Sequence, residues 1–190
     1  SQDTLSQLAE TFAPRHIWRA VVAVHLKFPA PFPLNGSKWA DKVGWVQANP
    51  EDYDTLLYQA DQSLTKKGKI CLILFDALDR LASSWPKIRP LAKALFQVAL
   101  ELRSCRSIRA KLFVRPDMLE DREITLFPDS SKLTAQKVSL AWKRTDLYAL
   151  LFQCVGNSKA GGEAFRQHCQ QEFQLTWQDE PATATWILPR

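Results

Sequence analysis

Residues 70–76 read "ICLILFD", an unbroken apolar run delivered directly onto a carboxylate. The length, the Ile and Leu content and Gly68 just upstream fit a strand that is apolar on both faces, as in the centre of a parallel sheet. Parallel strands are joined by long crossovers, usually helical. This one segment therefore ties the chain to an α/β architecture, and it puts Asp76 at a strand's carboxyl end, where open α/β sheets keep their functional crevices.

The rest of the chain supplies helices and further strands. Residues 4–13 carry apolar side chains at helical spacing, with Pro14 as a stop. The run 17–28, "IWRAVVAVHLKF", is apolar and β-branched, and its periodicity leaves strand and buried helix both open. Pro29, Pro31, Pro33, Gly36, Gly44 and Pro50 mark 29–50 as a long irregular connection, which Trp39 and Trp45 are expected to pin to the body. Asn49-Pro50, then Glu51, Asp52 and Asp54, open a helix over 51–66 that ends at Lys66, Lys67 and Gly68. A helix is expected near 90–104, with Leu91, Leu95, Val98, Ala99 and Leu102 on one face. A second strand follows over 108–117, ended by Pro116. Asp129 or Ser130 opens a short helical turn, and "KVSLAW" (137–142) reads as a third strand. Thr145 is expected to cap a helix from Asp146 to about Val155, stopped by Gly156-Asn157, and a last helix spans 162–173. Gly161-Gly162 reads as a hinge, since no strand precedes it. The expected fold is a parallel α/β sheet with helices on both faces, in a domain over 1–155 with a helical extension over 156–190.

Of the 190 residues 46% are apolar, enough for one domain with a full core. Cys71, Cys105, Cys154 and Cys169 lie far apart, and His16, His25 and His168 have no partners at ligand spacing, so neither a disulfide framework nor a zinc site is indicated. The absence of a signal peptide and of any apolar run near 18 residues fits a cytoplasmic protein outside the membrane. The opening "SQDTLSQLAE" lacks Met and reads as the inside of a helix, and "TWILPR" carries no stop signal, which is expected of a piece of a longer chain. A net charge of +5 is basic without reaching the level of a dedicated nucleic-acid binder. Its positive residues cluster at Arg103, Arg106, Arg109 and Lys111, either as a solvated helix end or as a surface for phosphate or nucleic acid.

Asp76 has two readings: a cap for the next turn, or a site carboxylate, since burial beside dry strands is costly unless a cation or donors compensate it. A phosphoacceptor aspartate would need an acidic pair near the chain start, which is not seen. A haloacid-dehalogenase-type nucleophile would need D-x-D, whereas Asp76 and Asp79 form D-x-x-D. The pattern of four or more apolar residues followed by Asp is that of a Walker B strand, whose carboxylate holds magnesium's water shell beside nucleotide phosphates.

Three blocks, "FDALDRLASSW", "KLFVRPDML" and "VSLAWKRTDLYALL", resemble the STAND/KAP-like branch of bacterial P-loop ATPases over about residues 17–155. The resemblance implies that Asp76 is the magnesium-side carboxylate and Asp79 an accessory acid or a cap. It implies that Arg115 is a sensor for the γ-phosphate at the tip of the adjacent strand, and that Lys143 and Arg144 lie near the far edge of the nucleotide site. Asp117 has a further reading as a cap for the turn after Pro116, and Trp142 and Tyr148 as packing aromatics. ATP and Mg2+ would be the cofactors of the intact protein. The sequence departs from the family in lacking G-x-x-x-x-G-K-[ST], the cradle that binds the phosphates. Ala77 also stands where many such enzymes carry a catalytic Glu. The resemblance thus implies part of a regulatory ATPase, a nucleotide-dependent switch of the kind found in bacterial conflict or phage defence. It would hydrolyse ATP only when completed by an upstream P-loop segment, with effector domains of the same protein as further partners and homo-oligomers open to it. The alternative is a catalytically inactive NTPase-like module that binds nucleic acid through residues 103–111, or a protein partner.

Overall fold

A computed structural model describes residues 2–34 and 36–173; "TWILPR" lies outside them. The chain divides into two compact units, Ser1–Lys137 and Val138–Arg190. The fold is mixed α/β and mostly helical, with one two-stranded parallel sheet among the described residues.

In the first unit, α1 (Gln2–Thr11) leads through Pro14 into α2 (Pro14–His25). The ambiguous run 17–28 is thus resolved as a buried helix: Ile17, Ala20, Val22 and Ala23 are wholly shielded from solvent. Helical spacing lets this run present one continuous apolar face, and α2 packs it against α3 and α5. The connection 29–50 is not irregular throughout. Residues 39–48 form α3 (Trp39–Ala48), opened by the Asp41 carboxylate, which accepts the Lys38 N–H at 2.9 Å. Pro29, Pro31 and Pro33 precede it, Pro50 follows it, and Gly44 sits within it. Trp45 does pin the segment, packing against the core and meeting the buried Phe32 edge to face at 5.4 Å, while Trp39 stays partly exposed.

Helix α4 (Pro50–Lys66) begins at the expected Asn49-Pro50 and runs to β1 (Cys71–Phe75). A 3-10 turn at Leu78–Arg80 precedes α5 (Trp85–Glu101), which starts earlier than expected because Pro86 occupies its first turn; Pro90 is tolerated inside it. Helix α5 carries the chain to β2 (Ile108–Leu112), which pairs parallel to β1 with Cys71 opposite Ile108 and Phe75 opposite Leu112. Three short helices, α6 (Pro116–Glu120), α7 (Arg122–Thr125) and α8 (Ser131–Thr134), complete the unit.

Among the described residues only one face of the sheet is covered. Ile73, Phe75 and Ile108 are buried, and Trp18 of α2 meets Phe75 edge to face at 5.8 Å while its indole N–H donates to the Leu91 carbonyl at 2.8 Å. On the other face Leu72 and Leu74 are 47% and 57% exposed. The expectation of helices on both faces is therefore corrected: β1 has the composition of a doubly covered strand but, among the described residues, a cover on one side. The third strand expected at 137–142 is also absent. That segment carries no ladder, and Val138, Leu140 and Trp142 are exposed. Alternation alone does not make a strand without a neighbour to accept its hydrogen bonds.

A buried carboxylate fixes the N-terminal end of the sheet. Asp61, on the inner face of α4, is 4% exposed. Its Oδ1 accepts the N–H groups of Ser107 (2.7 Å) and Ile108 (3.2 Å), and its Oδ2 that of Arg106 (3.0 Å). Thr65 adds a hydroxyl contact to Ser107 at 2.7 Å. A carboxylate taken from water is tolerated when donors replace its hydration, and here the backbone entering β2 supplies them.

In the second unit α9 (Arg144–Gly156) and α10 (Gly162–Phe173) form a hairpin in which Phe152 and Phe165 meet at 5.2 Å. The cap of α9 is not Thr145 but the segment at Lys143, whose N–H donates to Asp146 at 3.0 Å. Gly162 serves close packing: a Cβ there would lie 2.6 Å from the Gly156 carbonyl oxygen. No helix of the described residues is long and apolar enough to cross a membrane.

Candidate functional site

The last ladder bond of the sheet, from the Phe113 N–H to the Phe75 carbonyl at 2.8 Å, releases the chain at Asp76. Asp76 is exposed, and one of its oxygens accepts the adjacent Ala77 N–H at 2.7 Å. No desolvation penalty has to be offset here, so the reading of Asp76 as a buried carboxylate in need of a cation is corrected. The buried one is Asp61. Asp76 keeps one carboxylate oxygen outside the Ala77 bond.

Ala77 holds φ 54° and ψ 41°, the left-handed region that costs a non-glycine residue about 1 kcal/mol. The turn swings Leu78 down into the core, where it is 2% exposed, and thereby lifts Asp79 and Arg80 toward solvent. The strain is thus held in place by the burial of the next side chain.

Arg115 arrives from the adjacent strand. It sits in extended backbone just before α6, and its guanidinium approaches Asp79 Oδ2 at 3.7 Å. Its main partner is Asp117: Nε donates to one carboxylate oxygen at 3.1 Å and the terminal nitrogen to the other at 2.9 Å. That two-pronged bond, with Asp79 adding a weaker attraction, raises the Arg115 pKa above its ordinary value. The carboxylate of Asp117 is thus engaged by Arg115.

Asp76, Asp79 and Arg115 therefore gather at one end of the β1–β2 pair, with Asp79 and Arg115 in direct contact. Lys143 and Arg144 stand in the second unit, as the N-cap and first residue of α9, with the Arg144 guanidinium 5.8 Å from the Tyr148 ring centre. Trp142 and Tyr148, expected to pack, are 62% and 38% exposed. The basic residues 103–111 do not form one helix end. Arg103 donates to the Lys132 carbonyl at 2.6 Å, while Arg109 and Lys111 project from β2. Arg109 donates to the carbonyls of Cys105 and Ile108.

Sequence reasoning missed a second carboxylate beside this tip. Asp121 accepts the Trp85 indole N–H and the Arg89 guanidinium, both at 2.8 Å, and the Glu123 N–H at 2.9 Å. The Arg89 bond first, then the Trp85 bond, hold its carboxyl below the usual range. This knot fixes the start of α5 against the turn between α6 and α7, the two segments that follow the strand ends. Its only sequence signal is an Asp placed before a short helix.

Among the described residues no three His, Cys, Asp or Glu side chains are grouped to hold a metal ion. Magnesium does not require that, since it keeps most of its water and takes one or two carboxylates. Asp76, exposed and with an oxygen outside its local bond, fits such outer contact. Two open surface depressions, along α4 and between α5 and α7, are lined by neither Asp76, Asp79 nor Arg115. Compared with family models, curated proteins and solved structures, the chain matches none.

Proposed function

We propose that the first unit is the acid-and-sensor half of a nucleotide-dependent switch of the P-loop ATPase type. Asp76 would face a hydrated magnesium ion, and Arg115 would answer to a terminal phosphate. The observation that carries this reading is the ion pair, just past the carboxyl ends of two parallel strands joined through a helix, between Asp79, in the turn that follows the exposed Asp76, and Arg115, from the segment after the neighbouring strand. Crevices at such strand ends are where open α/β sheets place ligands. Magnesium would supply charge neutralisation for the phosphates. The phosphate-cradling loop, for which residues 1–190 contain no candidate, would come from other polypeptide. With Ala77 after the acid, no side chain at that position could polarise an attacking water, so the chain by itself would not turn over ATP.

The test reads the metal side and the phosphate side separately. Manganese, a paramagnetic substitute for magnesium, should broaden the amide resonances of Asp76, Ala77 and Asp79 in nuclear magnetic resonance spectra, and Asp76→Asn should abolish the effect. Calorimetric titration with Mg-ATP should give a dissociation constant no tighter than about 1 mM, equivalent to roughly 4 kcal/mol. Micromolar ATP binding would show that no outside loop is needed, and unbroadened tip resonances would remove the metal from the reading.

A further inference from the structure

We propose that the uncovered face of the β1–β2 sheet is a docking surface for an acidic amphipathic helix of a partner protein. This inference does not rest on the strand-tip reading, because it concerns the face of the sheet and not its end.

The face is built from two dissimilar rows. The strand β1 and its approach present Ile70, Leu72 and Leu74, which are 71%, 47% and 57% exposed. The pairing register sets Arg109 opposite Leu72 and Lys111 opposite Leu74, with Phe113, 45% exposed, just beyond. One row is aliphatic and the other cationic. Residues 69–75 and 106–115 contain no Asp or Glu, and among the described residues neither Arg109 nor Lys111 is ion-paired.

Three physical arguments choose the occupant. Parallel sheets occur almost only with both faces covered, and the usual cover is a helix. The spacing suits one: alternate β1 side chains recur every ~6.6 Å, close to the ~5.4 Å pitch at which a helix repeats its apolar stripe. A helix about 10 Å across also spans two strands about 4.8 Å apart, so an apolar stripe on β1 brings its flank over β2. That flank must be acidic to meet Arg109 and Lys111. A second copy of the same face would set like charges against each other. Nucleic acid would satisfy the cationic row but leave the aliphatic row in contact with phosphates and water.

A synthetic helical peptide with Leu at i, i+3 and i+7 and Glu along one flank, carrying a fluorophore, can be titrated with the full chain by anisotropy. Binding in the range of about 10–100 μM is expected, with a gain of helical circular dichroism and weaker binding at higher salt. The double variant Leu72→Ser, Leu74→Ser should weaken binding about tenfold or more. Lys111→Glu should weaken the Glu peptide and favour its Lys counterpart, a reversal that misfolding cannot mimic. No binding up to about 1 mM, or binding indifferent to both variants, would overturn the proposal. So would tighter binding of a 20-base-pair DNA duplex that Lys111→Glu abolishes and the Leu variant leaves unchanged.

Discussion

At the N-terminal end of the β1–β2 pair, the oxygens of Asp61 are saturated by three backbone N–H groups and shut away from water; at the C-terminal end, Asp76 stands in water and accepts a single N–H from its own neighbour. Both are aspartates beside a strand terminus. The first has spent its hydrogen-bonding capacity on joining α4 to β2, and no ligand can reach it. The second contributes almost nothing to the fold and is chemically available. Burial with full satisfaction marks a structural carboxylate; exposure beside a strained turn marks a candidate for chemistry.

The sharpest way to break that contrast is to remove each acid and measure urea unfolding. Asp61→Ala leaves three buried N–H groups without an acceptor and should cost about 3 kcal/mol or more. A variant as stable as the parent would make the two ends equivalent. Ser107→Ala, which removes only the hydroxyl contact to Thr65 at the same end, should cost about 1 kcal/mol. At the other end Ala77→Gly relieves the left-handed backbone and should raise stability by up to about 1 kcal/mol, less what glycine adds to the freedom of the unfolded chain. Asp76→Asn should leave stability within about 0.5 kcal/mol while removing the manganese effect. The smallest effect concerns Asp121. Its carboxyl titrates below the usual range, so its share of stability is present above the ordinary carboxylate pKa and fades as pH falls through the lowered value. Comparing acid unfolding of the parent and Asp121→Asn should show a shallower loss in the variant.

Much of the first unit was legible from its residues. Asn49-Pro50 opens α4 as expected, Ile70–Asp76 yields β1 and its turn, and residues 108–112 pair with it in parallel. The placement of Asp76, Asp79 and Arg115 just past the strand ends was legible too, because an apolar run leading into Asp and a strand leading into Arg-Pro-Asp are local patterns, although β2 stops at Leu112 and not at Pro116. What the sequence hid was nonlocal. Asp61 occupies a slot on the apolar face of α4, but its acceptors' partners lie more than 40 residues away. The uncovered sheet face was hidden for the opposite reason: composition tells which surfaces could be buried, not whether anything arrives to bury them. The alternation of 137–142 misled in the same way, since a strand is a relation between two segments.

The pairing of Arg115 with Asp117 has a consequence for any anion that reaches this tip. A guanidinium already holding a carboxylate does not capture a newcomer; it exchanges one counterion for another. Occupancy is then set by the difference between two ion pairs, so a singly charged competitor gains little, and a multiply charged group is needed to displace the resident. Added salt weakens both sides of such an exchange, and selectivity at Arg115 would fall less steeply with ionic strength than at a bare arginine.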